Sequence, residues 1–200
     1  MMKMKTILLT IAFVPGLSFA DCQLQNGGQA SGNSFEGAAT CSGIINSVVS
    51  VDGPLIAKNA TMSTVSVNGS AQFINSTVQL ASVAGDMNTA HSKVKKLSLS
   101  GNLEAMQSKF FEITISGNLD AVKSTIESIT SSGNLNLSDS HVNTIIASGG
   151  SSFAQSSNIY LKNNTTVNSI TFKDGTQGKV FVSKDSKIVG SVTGGTIENQ

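Results

Sequence analysis

The chain has 200 residues and a formal net charge of +1 at neutral pH, and only 12% of its residues are charged. This nearly neutral balance gives no electrostatic case for nucleic-acid binding. The length suits one domain. Gly, Ser, Thr and Asn are abundant while Val, Ile and Leu recur throughout, a mixture typical of short strands separated by turns rather than of helices.

Residues 1–20 have the organisation of a secretory signal peptide. Lys3 and Lys5 form a basic region, residues 6–16 are mostly apolar, and residues 18–20 read Ser-Phe-Ala, a small-x-small cleavage site. The apolar segment is too short to span a bilayer. Cleavage would remove two lysines and lower the formal net charge from +1 to −1. We therefore expect an exported mature chain with no transmembrane segment, in the periplasm, at the cell surface or outside the cell.

Residues 21–36 are polar and rich in glycine, and we predict that they form an N-terminal cap. Cys22 lies in this segment and Cys41 follows it, and they are the 2 cysteines of the chain. Two cysteines in an exported chain are read most simply as one disulfide bond, which here would hold the cap to the first coil.

A 16-residue repeat begins after the cap. The tetrapeptide SGNL occurs at residues 100–103, 116–119 and 132–135. The same interval relates the following glycines: Gly37, Gly53, Gly69, Gly85, Gly101, Gly117, Gly133 and Gly149. We number the positions of each coil from its glycine, so that Leu103 is at position two of the coil that begins at Gly101.

The apolar residues of the repeat recur at positions two, four, nine, twelve and fourteen, and their spacing within a unit is the alternation of a strand. Three short strands per coil are predicted, at positions two to four, seven to nine and twelve to fourteen. Position seven is small in the coils from Gly53 onward and predicts a tight turn or narrow corner: Ala60, Ser76, Ser92, Ser108, Ser124, Ser140 and Ser156. The fold predicted for residues 37–164 is an all-β, single-domain parallel β-solenoid (β-helix), because each coil covers the apolar face of the next.

The spacing lengthens towards the C-terminus. Ile159 and Val167 are followed 21 residues later by Val180 and Ile188, and the same offset relates Ile170 to Ser191. We predict that residues 165–200 form wider C-terminal coils and a cap.

The unit SGNL-x-A-x-x-S-x-(I/F)-x-x-I, clearest at residues 100–116 and 116–132, resembles the repeats of GIN-type domains, the class known as autotransporter adhesin heads. It is similar, more loosely, to the bactofilin type of polymerising β-helix. The resemblance covers residues 37–164 and rests on small residues and on the period. GIN-type units usually have SGSGD-like corners, whereas this sequence has Asn in place of Asp and a shorter unit. The resemblance implies an exported, right-handed β-helix and carries over no catalytic residue.

The segment Ser138-Asp139-Ser140-His141 contains the residue types of a hydrolase triad. Ser140 belongs to the small corner column, however, and neighbours in one strand point to opposite faces, so we interpret these residues as solvated turn residues. His91 and His141 occupy different columns and lack a cluster of Cys or carboxylate ligands. The sequence predicts no catalytic residue, no metal site and no cofactor.

Glu104 and Asp120 share position three in successive coils, and Asn88 and Asn136 replace them in the neighbouring coils. Stacked carboxylates occur in enzymes that cleave polysaccharides, several of which use β-helices. Because the chain has no Trp and no Arg, we do not expect an enzyme. A protein that binds or cleaves a cell-envelope polysaccharide remains the alternative hypothesis.

Five lysines are predicted to crowd one edge of the middle coils: Lys93, Lys95, Lys96, Lys109 and Lys123. Such an edge could hold an anionic glycan, lipopolysaccharide or a membrane surface. The alternative is that these lysines only keep the sheet soluble and prevent aggregation.

Small hydroxyl residues recur at position thirteen and predict a flat outward face: Ser50, Ser66, Ser82, Ser98, Thr114 and Thr130. Flat Ser/Thr arrays resemble the ice-binding faces of insect β-helical antifreeze proteins, which favour Thr, whereas Ser dominates here. Ice binding is the second alternative. The first hypothesis is an exported structural or adhesive solenoid whose partners are a cell-surface glycan or further copies of itself, assembled end to end or laterally.

Overall fold

The computed structural model describes residues 21–31, 33–148, 157–173 and 178–200. The predicted signal peptide at residues 1–20 and the predicted column members Gly149 and Ser156 lie outside the described residues.

Nineteen strands of the described residues join in one hydrogen-bonded sheet, and this part of the chain contains no helix. The first strands are β1 (Asp21–Ser31), β2 (Ser34–Asp52) and β3 (Leu55–Val67). Short and long strands then alternate: β4 (Ala71–Ile74), β5 (Thr77–Val83), β6 (Met87–Ala90), β7 (Lys93–Leu99), β8 (Leu103–Met106), β9 (Lys109–Ile115), β10 (Leu119–Val122), β11 (Thr125–Ser131), β12 (Leu135–Ser138) and β13 (His141–Ser148). The C-terminal strands are β14 (Asn158–Lys162), β15 (Thr166–Lys173), β16 (Gly178–Val182), β17 (Lys187–Ile188), β18 (Val192–Thr193) and β19 (Gly195–Asn199).

These strands coil into a parallel β-solenoid of about nine turns. Short strands pair with short strands and long strands with long ones, so that Leu103, Leu119 and Leu135 lie side by side in consecutive coils. The prediction of an all-β parallel β-solenoid with 16-residue coils is confirmed.

Each regular coil has three outward faces but two continuous strands. The long strand β7 has the burial pattern eBeeBeB, in which two consecutive exposed residues separate the buried Val94 from the buried Leu97 and Leu99. The second and third predicted strands therefore merge into one seven-residue strand that changes direction at positions ten and eleven. The coil is closed by further corners at the glycine and at positions six and seven.

The core is a set of apolar stacks that run along the solenoid, as predicted from positions two, four, nine, twelve and fourteen. Phe73, Phe110, Ile113 and Leu119 are among its fully buried members. Burial contributes roughly 1.5–3 kcal/mol for each large apolar side chain. The first coil departs from the prediction, because a register shift in β2 pairs Ile45, rather than Asn46, with Met62.

The glycine column exists because consecutive backbones touch there. A Cβ atom at Gly117 would lie 2.4 Å from the carbonyl oxygen of Gly101, and one at Gly133 would lie 2.2 Å from that of Gly117. Close backbone approach, rather than a positive φ angle, therefore requires glycine at these middle positions. Only towards the N-terminus do described glycines of this column have positive φ, at Gly37 and Gly53.

The corner before position seven is left-handed at position six in every regular coil. Asn59, Asn75, His91, Gln107, Lys123 and Asp139 all have φ angles between 49° and 52°. Asn and Asp adopt this conformation readily, whereas His, Gln and Lys do so at an energetic cost. The sequence predicted this corner from position seven, but the left-handed residue at position six was missed because its residue types vary.

Serines at position seven stabilise the same corner. The Oγ of Ser124 accepts a hydrogen bond from the backbone N–H of Ser108 at 3.2 Å and donates to the carbonyl of Val122 at 3.0 Å. Equivalent bonds link Ser76, Ser92 and Ser140 to their neighbouring coils. These hydroxyls supply the acceptors that the corner N–H groups lack, and the predicted ladder of small residues is a hydrogen-bonded one.

The repeat widens after Gly133. Leu135 pairs with Ile159, an interval of 24 residues, and Val142 pairs with Val167, an interval of 25. Position seven of the wider coil is held by Thr165, whose Oγ1 accepts from the N–H of Ser140.

The predicted interval of 21 is found between Ile159 and Val180 and between Val167 and Ile188. The third predicted match is wrong, because Ile170 pairs with Val192 rather than Ser191.

The N-terminal strand β1 closes the first coil. It pairs antiparallel with β2, and Cys22 lies directly opposite Cys41. The two residues form a disulfide bond with a Cα–Cα distance of 4.0 Å. The Cys41 side chain is fully buried in the core, at position four. The predicted disulfide is confirmed, and it joins the strand over the end of the solenoid to the first apolar stack.

We predict that Cys22→Ser loosens the cap without unfolding the solenoid. The disulfide closes a loop with a sequence separation of 19, for which chain entropy gives about 3 kcal/mol. Because solenoid coils interact chiefly with their neighbours, hydrogen exchange should accelerate in residues 21–52 and stay slow from Gly69 onward. Uniform loss of protection along all coils would contradict this prediction.

We predict that Ser124→Ala destabilises the protein by about 1–3 kcal/mol, because it leaves the buried N–H of Ser108 without its acceptor. The control is Ser98→Ala on an exposed outward position, which should change the free energy of unfolding by less than about 0.5 kcal/mol. Denaturant unfolding measures both variants, and equal effects would show that the serine ladder has no stabilising role.

We predict that Thr89→Val stabilises the protein. Thr89 is fully buried, and its Oγ1 finds no hydrogen-bond partner among the described residues. Replacing the hydroxyl by a methyl group of similar size should raise the free energy of unfolding by about 1 kcal/mol, since the unpaired polar group is removed from the apolar stack. The exposed Thr114→Val serves as the matched control in thermal unfolding, and a destabilised Thr89→Val would refute the prediction.

Candidate binding surfaces

The outward positions form three faces, each of which repeats one set of positions along the solenoid. The amide face consists of positions one, three and five, on the short strands. The basic face consists of positions eight and ten, on the first half of the long strands. The hydroxyl face consists of positions eleven, thirteen and fifteen, on and just after the second half of the same strands.

The structure brings the predicted hydroxyl residues together in one row. The register pairs Ser50 with Ser66, and the row continues through the predicted members in order: Ser82, Ser98, Thr114 and Thr130. Their spacing is therefore that of neighbouring strands, about 4.8 Å.

The hydroxyl face is interrupted at position eleven. Leu80 is 45% exposed there, and the next two coils have an ion pair between Lys96 and Glu112, with Nζ and Oε2 2.9 Å apart. Bulky and charged side chains thus stand beside Ser82, Ser98 and Thr114. The face is a shallow groove of about 290 Å³ at this point rather than a flat array.

The five predicted basic residues divide between two faces and a corner. Lys93, Lys95 and Lys109 line one depression of about 470 Å³ on the basic face. Lys123 is at position six, in the left-handed corner next to this face. Lys96 lies around the other corner, on the hydroxyl face, in its ion pair with Glu112. Four of the five lysines therefore lie on or next to the basic face, and Lys96 lies on another face.

An exposed aromatic ring stands among the lysines of the basic face. Phe111 is 57% exposed and lines the same depression. Lys95 and Glu127 occupy its position in the coils on either side, and the Glu127 carboxylate accepts a hydrogen bond from the side chain of Asn143 at 2.6 Å. Sequence reasoning missed Phe111, although its position ten, shared with Gln79 and Lys95, would have marked it as outward.

The predicted carboxylate pair is present on the amide face. Glu104 and Asp120 are paired in register on β8 and β10, and the amide of Asn88 donates to the Glu104 carboxylate at 3.2 Å. They line an open depression of about 680 Å³. The two carboxylates stand side by side on one surface.

Position one of the amide face is a ladder of side-chain to backbone hydrogen bonds. Asp86 accepts from the N–H of Asn102, whose own side-chain oxygen accepts from the N–H of Asn118. The ladder continues through Asn134 to Asn158 at 3.0 Å for each bond. The asparagine of the SGNL repeat therefore stabilises the corner beside the glycine column.

Two stacked aromatic rings stand near the C-terminal end of the amide face, before Glu198 in the same row. Tyr160 and Phe181 follow Asn136 at position three, and their ring centroids are 4.8 Å apart with an interplanar angle of 9°. One π face of each ring is therefore covered by the other ring.

Beside the stack, Lys179 pairs with Glu198 at 2.7 Å. The hydrogen bond that the Lys179 ammonium donates to the Glu198 carboxylate, together with the negative charge of that carboxylate, raises the pKa of Lys179.

The residues of the apparent triad do not form a catalytic arrangement. The Ser140 hydroxyl is buried and donates to the carbonyl of Ser138 at 2.8 Å. Asp139 is the left-handed corner residue and His141 is exposed at the start of β13. Among the described residues, no group of three His, Cys, Asp or Glu side chains lies close enough to hold a metal ion.

Comparison with known proteins yields no matching family model, no matching curated protein and no matching solved structure. In the described part of the chain, no helix has the length and apolar character needed to cross a membrane.

Proposed function

We propose that this protein is an exported structural or adhesive β-solenoid that acts through its outer faces rather than by catalysis. The observation that carries the proposal is the in-register repetition of outward side chains over successive coils, as in the row from Ser50 to Thr130. A surface that repeats the same group about every 4.8 Å suits a partner that is itself repetitive, because many weak contacts then add to a strong one.

The resemblance of the repeat to GIN-type adhesin heads supports this proposal at the level of sequence pattern. The resemblance to bactofilins supports self-association as a second mode of action. Copies could meet at the C-terminal end, where Val189 and Ile197 are 63% and 52% exposed beside the last short strands. Export rests on the predicted signal peptide.

An enzyme that cleaves an envelope polysaccharide is the weaker alternative. In glycosidases the two carboxylates flank the scissile bond, one on each side. Glu104 and Asp120 instead project side by side from adjacent strands of one surface, and Glu104 is engaged by Asn88. A reducing-sugar assay tests this alternative, with release of sugar that depends on Glu104 or Asp120 as its supporting result.

Ice binding is the other alternative, and it draws on the hydroxyl face alone. The Lys96–Glu112 pair and the exposed Leu80 break the regular array that would match a crystal surface. Thermal hysteresis that is lost in Thr114→Lys would favour ice binding over adhesion.

The proposed function predicts that residues 21–200 bind a cell or matrix surface or associate with one another. Fluorescently labelled protein should bind intact cells of the source species, and analytical ultracentrifugation should detect any assembly. The control for non-specific adsorption is a globular protein of similar size that has no repeated surface and carries the same label. A strictly monomeric protein that binds no surface, together with a gene deletion that leaves adhesion unchanged, would refute the proposal.

A further inference from the structure

Lysines are arranged in opposite ways on two adjoining faces of the same strands. On the hydroxyl face, Lys96 of β7 lies opposite Glu112 of β9 and the two form an ion pair. On the basic face, the same two strands place Lys93 directly opposite Lys109. Like charges in register on neighbouring strands are destabilising. The basic face therefore has a pair of like charges on the two strands that carry an ion pair on the hydroxyl face.

The lysines of the basic face also lack ion-pair partners in the described part of the chain. Lys93, Lys95, Lys109 and Lys123 are all exposed, and no carboxylate of the described residues forms an ion pair with them. Glu127 lies on the same face at position ten, where its Oε1 accepts a hydrogen bond from the Asn143 amide, and it forms no ion pair with these lysines. An external anion would relieve the repulsion and supply the missing partner.

We propose that the basic face binds an acidic polysaccharide that lies along the solenoid axis. This inference rests on the proposed surface function and names the ligand class of one face. Lys93 and Lys109 repeat along the axis at the strand spacing, about 4.8 Å, so consecutive acidic groups of a linear chain can meet consecutive lysines. Phe111 stands between Lys95 and Glu127 with more than half of its surface exposed, and its ring offers an apolar contact for the C–H groups of a sugar.

The distribution of apolar groups favours a polysaccharide over a lipid surface. Insertion into a membrane interface draws on buried apolar area in addition to charge, so several apolar side chains on the charged face would favour it. Among the lysines of the basic face, the one large exposed apolar side chain of the described residues is Phe111. Ile44 is exposed at position eight of the first coil, in the same row but three coils before Lys93. The other strongly exposed apolar residues lie away from this face: Val48 and Leu80 on the hydroxyl face, Met106 on the amide face, and Val189 and Ile197 in the last coils.

The test measures binding of residues 21–200 to polygalacturonate, dextran sulfate, uncharged dextran, polyphosphate and phosphatidylglycerol vesicles. The wild type should bind the two acidic polysaccharides and not dextran, with an affinity that falls steeply as salt rises. Lys93→Gln/Lys109→Gln should weaken this binding about tenfold or more. Phe111→Ala should weaken binding of the polysaccharides and leave polyphosphate binding unchanged.

The control variant is Lys58→Gln/Lys184→Gln, which removes the same charge from exposed positions away from the basic face and should bind like the wild type. Thermal unfolding at low salt shows that the variants are folded. Lys93→Gln/Lys109→Gln should be at least as stable as the wild type, because the repulsion is gone. Acidic polysaccharide should raise the melting temperatures of the wild type and of the control variant, and should raise that of Lys93→Gln/Lys109→Gln less.

Equal binding by the two double variants, or binding of vesicles alone, would overturn the inference. If Lys93→Gln/Lys109→Gln weakens the binding of every polyanion equally and Phe111→Ala has no effect, the basic face acts by general charge attraction alone. That result would also overturn the inference. If Lys93→Gln/Lys109→Gln binds cells as strongly as the wild type, the inference is wrong and the proposed surface function stands. If the wild type binds polygalacturonate and no cell surface, the proposed function is wrong and the ligand chemistry of this face stands.

Discussion

The parallel, in-register pairing of each coil with the next is the constraint on which the rest of the structure depends. It places every residue beside the residue at the same position of the neighbouring coil, so that Leu103, Leu119 and Leu135 form one stack. It also brings the backbones of Gly101, Gly117 and Gly133 into contact, where no Cβ atom fits. The residue type at each position is therefore constrained mainly by its contacts with the equivalent residues of the neighbouring coils.

This constraint makes the corners the most demanding part of the fold. A parallel coil leaves corner N–H groups without strand partners, and buried N–H groups are costly unless they are paired. Two ladders solve the problem: Ser hydroxyls such as that of Ser124 serve position seven, and Asn side chains such as that of Asn118 serve position one. The repeat motif SGNL is thus explained mostly by corner chemistry, and it carries little information about function.

The same constraint multiplies any outward group into a row, and this property links the fold to its proposed role. A row of hydroxyls, a row of amides with carboxylates, and a cluster of lysines each face a different direction from one rigid stack. Where the repetition is unfavourable, as for Lys93 beside Lys109, the sheet holds like charges together that an isolated strand would separate. A ligand that carries complementary charges at a similar interval gains from that arrangement, because the protein has already met the cost of assembling it.

The sequence by itself determined the period, the inward columns and the position-seven corner, because each is a local pattern repeated at a fixed interval. It also determined the cysteine pair, because the chain has 2 cysteines. The period alone did not locate the interval of 24 residues before Ile159 or the shift that places Ile45 in the core, since both depend on insertions that only strand pairing reveals. Sequence reasoning also grouped Lys96 with its neighbours. The change of direction at positions ten and eleven turns it onto another face, beside Glu112. The 16-residue period shows which residues share a row along the solenoid. Which rows share a face depends on where the backbone bends, and tertiary packing decides where it bends.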